Sequence, residues 1–152
     1  MAITFTAPTA THIGANDLPF VDFGGGNLLK VIQVNEREGL WVIENIFKRG
    51  FEVPTHRHTG PVWAFTTSGG WKYKEYDYVN GPGSFLYEPA GSVHTLQCVE
   101  DETHVWFHIN GANLDLDAEG AVVSVLDGAG VLAAYYQLCE AAGLPVPKVL
   151  VG

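Results

Sequence analysis

The sequence predicts an all-β protein, a sandwich or barrel of short strands followed by one helix. Three observations carry this expectation. Apolar and β-branched runs recur about every ten residues with turn residues between them. Eighteen glycines and eight prolines are spread over 152 residues, which suits many turns better than long helices. Only one late stretch has the alanine and leucine content of a helix.

The elements follow in chain order. LLKVIQVNE (28–36) comes after the turn GGGN (24–27), and GLWVIENIFKRG (39–50) carries β-branched and aromatic residues up to a closing glycine. VWAFTTS (62–68) runs into Gly69-Gly70, and WKYKEYDYV (71–79) alternates aromatic and charged residues until Asn80-Gly81-Pro82-Gly83. SFLYEP (84–89), HTLQCVE (94–100) and THVWFHING (103–111) complete the set. In the last of these, Val105, Phe107 and Ile109 share one face, and His104, Trp106 and His108 the other; the apolar face is expected to line the barrel. GAGVLAAYYQLCEAAG (128–143) reads as the helix, with Gly143 as its left-handed stop and Pro145 just beyond. Leu132, Tyr135, Tyr136 and Cys139 form its packing stripe. The chain reads as a single domain over 1–152, with a core at about 28–127 and the helix at about 129–142.

Composition narrows the function. Eight basic residues against seventeen acidic ones give a formal charge of −9, which repels nucleic acid and anionic membrane surfaces. No apolar stretch is long enough for a membrane span, and no secretory leader is visible. Cys98 and Cys139 stand far apart without a CxxC partner, as expected of a reduced, cytoplasmic protein.

The six histidines are the chemical signal. His56 and His58, in GFEVPTHRH (50–58), lie two apart, so a strand would present both on one face, about 6.5–7 Å apart at the backbone. A lone pair of this kind is a weak indication of a metal. Its setting is more specific. Gly50, then five residues and His56-Arg57-His58, is followed by a second block, Gly83, five residues, Pro89-Ala90-Gly91, two residues and His94. These blocks resemble the two motifs of the cupin family. The resemblance implies a double-stranded β-helix, or jelly roll, in which His56, His58 and His94 meet on a metal.

The sequence departs from the family pattern where a glutamate normally follows the second histidine by four or five residues; Val62 and Trp63 stand there. Cys98 replaces the usual asparagine of the second block. HRHTGPVWAFTTSGGWKYKEYDYV with GSFLYEPAGSVHTL resembles a subgroup of single-domain cupins that includes 2,4'-dihydroxyacetophenone dioxygenase. The acetylacetone-cleaving dioxygenases are more distant relatives. The likeness extends over about 28–127, including HINGANLDLDAEGAVV (108–123). It implies a three-histidine iron site, a possible fourth ligand at Glu75, and cleavage of a carbon–carbon bond. Strand parity alone leaves the face of Glu75 open; it could equally point to solvent and pair with Lys72 or Lys74. Glu88, in the EPAG turn, is a candidate acceptor for a ligand imidazole, with Tyr73 beside it as a second supporting residue.

Three neutral imidazoles suit zinc, copper, iron and nickel. The resemblance makes Fe(II) the expected ion, with zinc, nickel or manganese as alternatives, and three protein ligands leave open positions for a ketone oxygen and for dioxygen. Trp63, Phe65, Trp71, Tyr73, Phe85, Tyr87 and Phe107 are expected to wall the substrate pocket. Aromatics more often simply fill a core. The expected partners are therefore a small ketone and dioxygen, with no nucleic acid and no membrane. The rival expectation is a metal-binding cupin without oxygenase activity: a small-molecule sensor, isomerase or hydrolase. A homodimer or higher homo-oligomer is expected to cover the outer sheet face around Trp106 and the tyrosine-bearing helix.

Overall fold

A computed structural model describes residues 1–4 and 6–152. Its strands are β1 (Val21–Asp22), β2 (Asn27–Asn35), β3 (Leu40–Phe47), β4 (Glu52–His58), β5 (Val62–Ser68), β6 (Trp71–Tyr73), β7 (Phe85–Glu88), β8 (Val93–Cys98), β9 (Thr103–Asn110), β10 (Asn113–Leu116), β11 (Val122–Leu126) and β12 (Leu150–Val151). They form two facing sheets, ordered β1-β2-β3-β9-β5-β7 and β11-β10-β4-β8-β6, with β12 added alongside β2. Neighbours are antiparallel apart from the β2–β12 pair. This is the jelly roll.

Period-two alternation builds the core. In β9, Thr103, Val105, Phe107 and Ile109 are buried while Trp106 and His108 are exposed, as the sequence pattern requires. Val31, Val34, Trp41, Val62 and Val105 have essentially no exposed surface. The turn from β5 to β6 needs glycine at position 69: φ is +74°, and a side chain there would strike Thr103. Thr103 in turn accepts from the Gly70 N–H at 2.9 Å and donates to Glu100 O at 2.7 Å, joining that turn to the start of β9.

The helix α1 spans Gly128–Ala141, capped by the Asp127 carboxylate on the Gly130 N–H at 2.8 Å. Gly143 is left-handed beyond it, with φ +71°. Val131, Leu132, Tyr135 and Cys139 form its buried stripe, and the Tyr135 hydroxyl donates to Pro19 O at 2.6 Å. Both cysteines are free and buried. No helix among the described residues is long and apolar enough to cross a membrane.

The expected strand 71–79 is shorter than its composition implies. It ends at Tyr73 because the chain turns there, Tyr76 N–H donating to Tyr73 O, and returns so that Asn80 pairs back onto Trp71.

Candidate metal centre

Strand β4 places His56 and His58 on its inner face, and β8 runs antiparallel beside it with His94 directly opposite His56. All three are at least 96% buried, and their ligating nitrogens lie within 4.8 Å of one another. The segment before them forms a bulge, so register shifts between Val53 and His56. His56 Nδ1 sits 2.8 Å from Pro54 O. A carbonyl only accepts, so Nδ1 carries the proton and Nε2 keeps its lone pair.

The fourth polar group comes from the opposite sheet. In β7, Leu86 and Glu88 turn inward and Phe85 and Tyr87 outward. The Glu88 carboxylate therefore enters the barrel, with Oε2 3.0 Å from His58 Nε2 and 3.7 Å from His94 Nε2. His58 and His94 bring their Nε2 atoms within 3.0 Å of each other. At 3.0 Å the carboxylate is within reach of His58 but out of line, and both its oxygens lack a hydrogen bond.

Donor atoms each about 2.1 Å from a common ion are about 3.0 Å apart at a right angle and about 3.6 Å apart at 120°. The short spacings among His58, His94 and Glu88 are compatible with that arrangement. The three imidazoles could hold a divalent cation, with the Glu88 carboxylate beside two of them.

Burial sets the protonation states. It pushes His94 down to about 3, with His56 and His58 adding to the effect. It also lowers His56, against the raising influence of the Pro54 carbonyl. Both imidazoles are therefore neutral, the form that ligates. Burial raises Glu88 further than its contact with His58 lowers it, so the carboxylate calls for a nearby cation to hold its charge. Tyr73 stacks on His94 with ring centroids 3.8 Å apart and planes 16° apart, fixing the imidazole from the side.

A cavity of about 440 Å³ opens from these residues between the sheets. Its walls include Phe47, Phe51, Leu96 and Phe107, together with Val131 of α1. Phe107 and Tyr73 are where the sequence put them. Trp71 is fully buried but sits behind them, its ring 5.2 Å from Tyr73 and 5.7 Å from Phe107, and its indole N–H donates to Thr66 Oγ1.

Four expected pocket residues are elsewhere. Trp63, Phe65, Phe85 and Tyr87 lie on the outer face, the last three at least half exposed. The cause is parity. Val62, Ala64 and Thr66 occupy the inner face of β5, and the aromatics between them pair across to β7 outside the barrel, Trp63 on Tyr87 and Phe65 on Phe85.

Glu75 also departs from expectation. It stands exposed in the turn after β6, and its carboxylate accepts the Thr95 N–H at 2.9 Å. The strand that would have aimed it inward has already ended, so the group of three imidazoles forms without it. Lys74 pairs with Glu52, not Glu75. His104 and His108 lie on the outer face of β9, and His12 is in the exposed N-terminal segment.

Sequence reasoning missed the other half of the cavity, which includes Asn27, Asn45, Asn113 and Asp115. Asn113 and Asp115 face His58 and His56 across the β10–β4 pair. The signal was present at Asn45, which takes an inward position in β3 between Ile43 and Phe47.

Solved structures agree with this architecture. An RmlC-like cupin protein from Ralstonia eutropha JMP134 is 28% identical and superposes with a TM-score of 0.87, covering 95% of each chain. A cupin-like protein of unknown function from the same organism is 26% identical, with TM-score 0.87 over 99% of this chain and 96% of that one. The acetylacetone dioxygenase of Acinetobacter johnsonii, 19% identical, shares the fold with TM-score 0.74 over 91% of this chain and 97% of that one. No curated protein matches significantly. Residues 8–113 match the ChrR cupin-like domain, so a chain that brings three buried histidines together inside a jelly roll belongs to that cupin family.

Proposed function

We propose that this chain is a non-haem Fe(II) dioxygenase cleaving a carbon–carbon bond in a small ketone, an aryl hydroxyketone or a β-dicarbonyl. The observation that carries the reading is the meeting of His56, His58 and His94, with the Glu88 carboxylate beside His58 and His94, at the wall of a largely apolar cavity. Four protein donors leave a six-coordinate ion two positions, enough for a ketone oxygen and dioxygen. A bound ferrous ion would supply Lewis acidity and electron transfer to dioxygen. The protein's part is positional. Pro54 fixes the His56 tautomer, and Tyr73 holds the His94 ring. Glu88 provides the carboxylate that the family resemblance implied at Glu75. Leu96 and Phe107 line the space where the substrate would lie and keep water out. The acetylacetone dioxygenase with the same fold supports the reaction class.

Anaerobic reconstitution with ferrous iron, followed by oxygen-electrode measurements on a ketone panel, tests this reading. Oxygen uptake is expected to require both iron and one ketone class, with fragments that incorporate oxygen at the broken bond. A second reading is a metal-binding domain without oxygenase activity, supported by the ChrR family match and by three imidazoles that serve zinc equally well. Absence of uptake with any ketone, alongside tight zinc or nickel binding, would select that reading instead.

A further inference from the structure

A ligating imidazole has a second ring nitrogen, and when that nitrogen is buried its proton needs an acceptor. For His56 the acceptor is Pro54 O. His58 has none. Its Nε2 faces the cluster, 3.0 Å from both His94 Nε2 and Glu88 Oε2. Its Nδ1 is buried and without a hydrogen bond. With Nε2 as the ligating atom, Nδ1 carries the proton and is a buried donor without a partner.

A matching acceptor stands on the neighbouring strand. Asn113 of β10 lies directly opposite His58. The His58 backbone N–H bonds away from β10, to Ser92 O. His58 and Asn113 therefore form a non-hydrogen-bonded pair, in which side chains approach most closely, with Cβ atoms about 4.5–5.5 Å apart. Both line the cavity, so both side chains are on the inner face. Asn113 Oδ1 is itself buried and unpaired. A carboxamide oxygen only accepts, so the orphaned donor and the orphaned acceptor are of opposite sense at facing positions. The other polar groups of the lining are engaged. Asp115 accepts from Ser124 Oγ, Glu52 pairs with Lys74, and Asn27 and Asn45 bond each other. Ser92 Oγ, on the β8 side of His58, is also unpaired, but a hydroxyl can donate as well as accept.

We infer that Asn113 is a positioning residue of the metal centre: its Oδ1 takes the His58 Nδ1–H and so fixes the tautomer that leaves the Nε2 lone pair for a cation. This rests on the metal-site reading and assigns for His58 the role that Pro54 fills for His56. The backbone register already sets the two residues opposite each other, so the bond needs only rotation about side-chain torsions. Asn113 acts through His58 and has no contact with reacting atoms. A neutral amide fixes the ring without the added basicity that a carboxylate would give it.

Zinc binding and imidazole NMR of the full chain test this, without turnover. In the zinc-loaded native protein, isotope-labelled histidine is expected to show the His58 Nδ1–H protected from solvent exchange. Asn113→Leu removes the acceptor at similar size; its zinc affinity, measured by competition with a chelator, is expected to fall about 10–100-fold, and the protection to be lost. Asn113→Asp keeps an acceptor of nearly the same shape and is expected to retain both the affinity and the protection. Ser92→Ala is expected to change neither. Native affinity and protection in Asn113→Leu overturn the positioning role and leave the metal centre standing. Loss of both in Ser92→Ala alone gives the role to the hydroxyl and also overturns it. An unprotected Nδ1–H in the zinc-loaded native protein overturns it however the variants fold. A native chain that binds no zinc overturns the metal centre and the positioning role together.

Discussion

The two faces of β5 and β7 differ sharply in side-chain size. The inner face is small and polar at its end: Val62, Ala64, Thr66 and Glu88. The outer face carries Trp63, Phe65, Phe85 and Tyr87, with Trp106 of β9 next to Phe65 in register. The large residues are outside because the inner face must leave room for a cavity and a cluster of imidazoles. Aromatic content is therefore a poor guide to the pocket here, and side-chain volume on the inner face a better one.

The difference can be broken most directly from within. His94→Ala removes a ligand and the surface on which Tyr73 stacks, and metal content by elemental analysis is expected to fall from about one ion per chain to a small fraction. Glu88→Gln removes the charge with nearly the same shape, and its metal affinity is expected to drop about 10–100-fold. Retention of stoichiometric metal by His94→Ala would show that the cluster is not a site.

Acid is the next largest perturbation. Unfolded histidines take up protons near their ordinary value of 6.5, whereas burial holds His94 at about 3 and His56 below 6.5. The unfolded chain thus binds more protons at these two positions as pH falls, so their contribution to metal-free stability is full above 6.5 and is lost progressively toward about 3, with the raised Glu88 opposing it in part. Urea midpoints measured across that window should fall with pH, and bound metal should leave in the same direction because ligation needs neutral imidazoles. A flat profile would contradict the burial of the cluster.

Smaller effects separate the two faces by packing. Ala64→Phe overfills the inner face and is expected to destabilise by about 1–3 kcal/mol. Phe85→Ser on the outer face is expected to change chain stability by less than about 0.5 kcal/mol in chemical denaturation. Sedimentation of the same variant shows whether the expected homo-oligomer uses this aromatic face: if it does, the assembly weakens while the chain stays folded. Glu75→Gln is expected to leave metal content unchanged, with at most a small loss of stability from the weaker acceptor for the Thr95 N–H.

Much of the site was readable because it depends on short-range spacing. His56 and His58 share a face by strand period alone, and the resemblance of the Gly83 to His94 block to the second cupin motif points to the third histidine. Face assignment in β9 followed from its apolar alternation. Glu75 and Glu88 could not be separated in this way. Both sit near the ends of aromatic-rich strands, and their fates depend on where the strand stops. β6 ends two residues before Glu75, because Asn80 returns to pair with Trp71, whereas β7 keeps its register through Glu88.

By itself, the sequence determined the all-β class, the late helix with its Gly143 stop, and the three histidines that converge. The first two follow from periodicity and turn chemistry, which are local; the histidines follow from the resemblance of two short motifs to those of the cupin family. Tertiary structure alone decided which carboxylate lies beside the imidazoles, which aromatics line the cavity, and that Asn27 and Asn45 line the same cavity as His56 and His58. Each of those depends on how two sheets are brought into register across the barrel, and that is fixed by packing between residues far apart in the chain.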